Sequence, residues 1–279
     1  MANWGNIGSR GSVDDRRSMA PALGGLSLTG VLLVVAFNFL TGGNVGDVLS
    51  QLETIPVEQQ QNVDVKKFEG QDSYEVFAST VLGSNNDMWT KVFGQMNRSY
   101  EEPTLVLFRQ ATNSGCGGAT SEVGPHYCSR DKTIYLDETF FDELTNRFGA
   151  KGGDVAEAYV IAHEVGHHVQ EELGILGKVH SAEQSDPQNA NELSVQLELQ
   201  ADCFAGLWSN SIRQLNVFDP GEIAEAMDAA AAVGDDRIQK KTTGRISPES
   251  WTHGSAEQRM ASFDRGYESG SLASCNTFR

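Results

Sequence analysis

A formal net charge of −17 over 279 residues sets this chain against polyanions, so nucleic acid and anionic lipid headgroups are excluded as primary partners. The length suits one catalytic domain of ordinary size with an appendage. An acidic surface of this kind is compatible with an extracytoplasmic setting and with neutral or basic substrates.

Arg10, Arg16 and Arg17 precede an uncharged run, Ser18 to Gly46, whose Leu23–Leu40 portion is strongly apolar. That length predicts one transmembrane helix. With Asp47 and Glu53 on its far side, the arginines predict a cytoplasmic tail over residues 1–17, the rest of the chain crossing the membrane. No A-x-A cleavage pattern stands out and no cysteine follows the apolar run. Residues 18–44 therefore read as an uncleaved anchor, with signal-peptide processing as the alternative. Residues 45–71, polar and containing Gln59-Gln60-Gln61, read as a linker. The expected protein is thus a single-pass protein of the cell membrane, its domain at residues 72–279 periplasmic or extracellular.

Ser73 to Leu82 and Asp87 to Met96 read as helices around a turn at Ser84-Asn85-Asn86. Thr104–Phe108 and Thr133–Leu136 read as strands flanking a loop bounded by Cys116 and Cys128. Asp137 caps a helix reaching Phe148. The next helix is the informative one. Val155, Ala158, Tyr159, Ala162, Val165, Val169 and Leu173 recur at helical spacing, with Asp154 as N-cap, Glu157 as its capping-box partner and Gly174 as the stop.

Inside that helix lies His163-Glu164-Val165-Gly166-His167. Histidines at i and i+4 share a face and can bind one zinc ion, while the glutamate between them can act as general base toward a water there. Gly166 costs about 1 kcal/mol of helix propensity, so something packs closely against it. His168, turned about 100° away from His167, packs or hydrogen-bonds outside the zinc shell, and His126 and His180 read as surface loop residues.

A catalytic zinc wants a third protein ligand, and a helix expected from about Pro187 to Leu215, opened by Asp186-Pro187, carries Glu198 and Asp202 on one face. Two like charges at i,i+4 repel unless something compensates them. Glu198 is therefore predicted as the third ligand, and Asp202 as the acceptor for the free ring nitrogen of His163. Further on, an alanine-rich helix is expected over Glu222–Val233, with Gly234-Asp235-Asp236 as an interruption and cap. Ser255 and Gln258 form a capping box opening a helix to about Tyr267. Four cysteines without C-x-x-C spacing read as disulfides beyond a membrane. Of the three connectivities, Cys116–Cys128 with Cys203–Cys275 is favoured.

Several segments together resemble one family. H-E-V-G-H-H-V-Q at His163–Gln170, L-E-L-Q-A-D-C-F-A-G at Leu197–Gly206 and T-H-G-S-A-E-Q-R at Thr252–Arg259 are similar to the "putative neutral zinc metallopeptidase" family of YpfJ-like bacterial membrane proteins. So are Cys116–Leu136 and the Asp14-Asp15-Arg16-Arg17 tail. H-E-x-x-H followed by E-x-x-x-D also resembles the gluzincin arrangement. The resemblance implies a zincin-like metallopeptidase core and a further histidine, here His253, hydrogen-bonding the oxyanion of the tetrahedral intermediate. It also implies a short edge strand that pairs with extended substrate, for which Ala119-Thr120-Ser121 is the candidate.

The sequence thus predicts an α+β, mainly helical fold with a small sheet, one Zn²⁺ per chain, and hydrolysis of peptide bonds in a peptide or protein substrate. The alternatives are a zinc-stabilised, membrane-anchored binding module without turnover, and a zinc hydrolase acting on something other than peptides.

Overall fold

The computed structural model describes residues 1–19, 22–23, 26–27, 72–121 and 123–278. Most of the predicted anchor and all of the predicted linker, residues 45–71, lie outside them. Within the anchor segment the described pieces are two short strands, β2 (Ala22–Leu23) and β3 (Leu26–Ser27), paired antiparallel. Among the described residues no helix is long and apolar enough to cross a membrane.

The fold is mainly helical with small sheets, as expected. One mixed sheet of four strands runs in the order β1 (Val13–Asp15), β4 (Thr104–Phe108), β8 (Thr133–Asp137) and β7 (His126–Cys128). The first three are parallel, and β7 closes one edge antiparallel to β8. Leu105, Leu107, Ile134 and Leu136 are buried in the main core, which fits continuous apolar strands covered on both faces. The stretch between β4 and β8, expected as a loop, is structured: the hairpin of β5 (Ala111–Ser114) with β6 (Gly117–Thr120) starts ahead of Cys116, and β6 and β7 lie between the cysteines.

Two expectations for the N-terminal half are corrected. The predicted helix pair is one helix, α1 (Ser73–Gln95), because the polar residues that suggested a turn bond to the helix itself. Ser84 Oγ and Asn85 Nδ2 both donate to the Val81 carbonyl, and Trp208 Nε1 donates to Ser84 Oγ. Nor do residues 1–17 stand apart as a tail: β1 is hydrogen-bonded into the sheet. Ile7 and Val13 are in the core, and the Trp4 ring stacks on Trp208 at 6.5 Å. The arginines that suggested a cytoplasmic flank are consumed by the fold. Arg16 pairs with Asp14, and the buried Arg17 meets Asp15, Asp72 and Glu138.

The helical layer comprises α2 (Phe140–Asn146), α3 (Asp154–Glu172), α4 (Ile175–Ser185), α5 (Ala190–Ser211), α6 (Ile223–Ala232), α7 (Asp235–Thr243) and α8 (Ala256–Ser269). Gly153, not Asp154, caps α3. The Asp154 carboxylate instead accepts from Ala2 N and Trp4 Nε1. Helix α5 starts at Ala190 with Asn189 as N-cap, later than Asp186-Pro187 suggested. Helix α8 has the predicted Ser255–Gln258 capping box. It crosses α5 at a mutual contact of small residues: a Cβ on Gly206 would lie 2.0 Å from the Phe263 carbonyl oxygen, and one on Gly266 2.0 Å from that of Cys203. No other residue type permits so close an approach. Both favoured disulfides are formed, Cys116–Cys128 and Cys203–Cys275, the second tying the C-terminal segment to α5.

Candidate metal centre

Helix α3 presents His163, Glu164 and His167, and α5 crosses it carrying Glu198. The crossing is close because Gly166 faces Ala201, where a Cβ would lie 3.0 Å from the Ala201 Cα. His163 Nε2 is 3.2 Å from Glu198 Oε2, and His167 Nε2 is 3.4 Å from Glu198 Oε1. Ligand atoms about 2.0–2.1 Å from a tetrahedral zinc ion lie roughly 3.3 Å apart, so these separations fit a shared ion. Among the described residues this is the one cluster of three such groups whose ligand atoms lie within 4.8 Å of one another.

The other ring nitrogens are already engaged, which fixes each tautomer. His163 Nδ1–H donates to Asp202 Oδ1 at 2.8 Å, and His167 Nδ1–H donates to Gln170 Oε1 at 2.9 Å. Carboxylate and amide oxygens can only accept there, so both Nε2 lone pairs are left for a cation. Gln170 is itself held, donating to the Leu197 carbonyl and Gln200 Oε1, and Gln200 donates to the Cys275 carbonyl.

Asp202 is fully buried and fully compensated. Arg259 on α8 grips it with two bonds, Nε to Oδ2 at 2.8 Å and Nη2 to Oδ1 at 2.9 Å, and Tyr159 donates its hydroxyl to Oδ1. Burial alone would raise the Asp202 pKa, but Arg259 and His163 hold it down at about 2. Burial likewise works against a charged His163, yet Asp202 and Glu198 raise it to about 10, and His167 is raised for the same reason by Glu198. Burial would push Glu198 up, but the two histidines take it well below the usual carboxylate range. The centre is short of positive charge, and a divalent cation would supply it.

His163, Glu164, His167, Glu198 and Arg259 line a cleft of about 640 Å³, and so does His253. His253 sits half-exposed on the loop before α8. Asp235 fixes this loop by accepting from the backbone N–H groups of Thr252, His253 and Gly254 at 2.8, 2.7 and 3.0 Å. The His253 Nδ1 lies 3.0 Å from Thr252 Oγ1 and 3.4 Å from Asp235 Oδ1, leaving Nε2 for the cleft. Gly234, not the acidic pair, is the N-cap of α7, and the Asp235 carboxylate holds this loop instead.

The expected strand segment is in part misplaced. Ala119 is buried against Val106, Phe108, Cys128 and Tyr135, and of Ala119, Thr120 and Ser121 only Ser121 reaches the cleft. The edge strand lining the cleft is β7, with His126 and Tyr127. His126 is therefore in a strand, and His180 is on α4, not in loops. His168 is buried and joins α3 to this edge. Its Nε2–H donates to the Glu101 carbonyl at 2.6 Å, and Tyr127 donates its hydroxyl to Nδ1 at 3.0 Å. Sequence reasoning gave Arg259 and Gln170 no part in the site, and read Tyr159 only as an apolar face residue and Asp235 only as a cap. The one local signal was the spacing of Gln170, one turn beyond His167.

Comparison with known proteins places the chain in a family. The family described as "Putative neutral zinc metallopeptidase" matches residues 2–278. The chain is 42% identical over 285 residues to "Uncharacterized protein YpfJ" of Escherichia coli (strain K12), covering 99% of this chain and 98% of that protein. It is 43% identical over 254 residues to "Uncharacterized protein Rv2575" of Mycobacterium tuberculosis (strain ATCC 25618 / H37Rv), covering 86% and 84%. No solved structure matches it. With a family match from the second residue almost to the last, around an H-E-x-x-H helix facing Glu198, the chain belongs to the neutral zinc metallopeptidase family.

Proposed function

We propose that the protein is a zinc-dependent peptidase that works outside the cytoplasm. The observation that carries the reading is the convergence of His163 Nε2, His167 Nε2 and a Glu198 carboxylate in a cleft that Glu164 and an edge strand also line. His163, His167 and Glu198 would hold one zinc ion, which would supply Lewis-acid activation of a water and of a scissile carbonyl. Glu164, mid-helix and therefore rigid, takes the proton from the attacking water and returns it to the leaving amine. His253 donates from Nε2 to the oxyanion as it forms. Asp202, clamped by Arg259 and Tyr159, keeps His163 in its binding tautomer. Substrate backbone pairs with the free edge of β7 by strand addition, in place of the Ala119–Ser121 segment. Two disulfides support an oxidising compartment.

The test is a quenched-fluorescence peptide library presented to the zinc-loaded full-length chain beside Glu164→Gln. Cleavage by the wild type, absent in Glu164→Gln at equal zinc content, is the expected result. Equal zinc binding with no cleavage by either chain would overturn the peptidase reading.

A further inference from the structure

The N-terminal segment and the metal-binding domain are one folded body, and this fixes how the chain can meet a membrane. Gly11 N donates to the Ser79 carbonyl, and Ser79 Oγ donates back to the Gly11 carbonyl. Leu105 N donates to the Ser12 carbonyl and Arg16 N to the Leu107 carbonyl, continuing the β1–β4 pairing on both sides. Asn3 N donates to the Val217 carbonyl, and Ile7 and Val13 are 3% and 1% exposed. These are core contacts on α1, β4 and the loop after α5.

The two ends of the intervening stretch are also fastened to each other. Arg17 Nη2 lies 2.6 Å from Asp72 Oδ2, and the same guanidinium holds Asp15 and Glu138. Asp72 in turn caps α1, accepting from Tyr74 N and Glu75 N. The chain therefore leaves the domain and rejoins it at a single ion-pair cluster.

We infer that residues 1–17 and the metal-binding domain lie on the same side of any membrane the chain touches. A single crossing places the two flanks on opposite sides of a hydrocarbon layer about 30 Å thick, whereas here they share one sheet. Exchange of the N-terminal strand between copies does not rescue a single crossing, since the strand must still be on the domain's side. The charge bias that argued for a cytoplasmic tail also weakens, as Arg16 and Arg17 are neutralised by carboxylates within the fold.

The test uses the full-length chain in intact cells and a membrane-impermeant maleimide. The four native cysteines are all in disulfides, so they are silent. Reporter cysteines enter singly as Gly5→Cys, Gly8→Cys and Gly177→Cys, exposed positions where a Cβ meets nothing within 4 Å. The expected result is the same labelling state at all three positions before permeabilisation, with equal labelling after it. Labelling at Gly177→Cys with protection at both Gly5→Cys and Gly8→Cys, or the reverse, would overturn the inference. Protection of all three would uphold it and instead refute the extracytoplasmic placement, so the two readings fail separately.

Discussion

Gly266→Ala probes whether the α5–α8 crossing holds the metal centre in shape. A methyl group there would sit 2.0 Å from the Cys203 carbonyl oxygen and 2.8 Å from the Leu207 nitrogen, both backbone atoms that cannot swing aside. Real contacts of this type start near 3.0 Å, so the helices must part by about 1 Å. Overpacking typically costs about 1–3 kcal/mol, and a collision with backbone belongs at the upper end. Alanine returns about 1 kcal/mol of helix propensity. The net loss is about 2 kcal/mol, which lowers Tm by roughly 4–8 °C for a domain of this size. Arg259 lies two helical turns from Gly266 on the same helix. Its 2.8 and 2.9 Å bonds to Asp202 do not survive a separation of that size. Zinc affinity should therefore fall as well, by about 10–100-fold, the usual effect of disturbing a group that orients a ligand. Calorimetry of the metal-free protein and zinc titration against a competing chelator measure the two effects, with Gly5→Ala as a neutral control. A Tm within 1 °C of wild type, or full zinc affinity despite a large drop in Tm, would refute the link between this crossing and the site.

The remaining predictions concern single side chains. Gln170→Leu removes the acceptor for His167 Nδ1–H and should weaken zinc binding about 10–100-fold; unchanged affinity in the chelator titration would show that His167 needs no such partner. Asp235→Ala strips the acceptor from three backbone N–H groups around His253. It should lower kcat toward that of His253→Ala at unchanged zinc content, and wild-type kcat in both would remove His253 from the chemistry. Burial, aided by the charges of Asp154, Glu138 and Asp142, raises Glu157 from 4.5 to about 7. The folded state thus holds this proton more tightly than the unfolded one, so the stabilisation is complete below pH 4.5 and is lost as pH rises through 7. The loss is at most roughly 3 kcal/mol. Urea melts across that window should show a shallower slope for Glu157→Gln, and identical slopes would contradict the assignment.

The parts of this fold legible in the sequence are those encoded locally. Helix α3 announces itself by apolar spacing, and His163, Glu164 and His167 follow from one motif on one face. Glu198 and Asp202 are legible as an acidic pair on one helix face that needs a compensating cation. Arg259 was invisible in this way, since its partner Asp202 is 57 residues away and the crossing that joins them depends on Gly206 and Gly266. Arg17 misled for a similar reason. A basic residue before an apolar run carries a topogenic meaning when its neighbours are solvent and lipid, but its partner Glu138 lies 121 residues on. The strand at the cleft was assigned to β6 and belongs to β7, because two short polar strands in one disulfide-bounded loop have no periodicity to separate them.

The groups that complete the metal centre come late in the chain. Arg259 clamps Asp202, and the Cys275 carbonyl anchors Gln200, which steadies Gln170 and through it His167. During synthesis or export, the H-E-x-x-H helix and Glu198 therefore emerge well before the side chains that orient them. Their geometry is finished only when the last segment docks and Cys203 meets Cys275. A chain truncated before Arg259 would keep all three ligands yet lack their bracing. Completion of the site's bracing is thus tied to completion of the polypeptide.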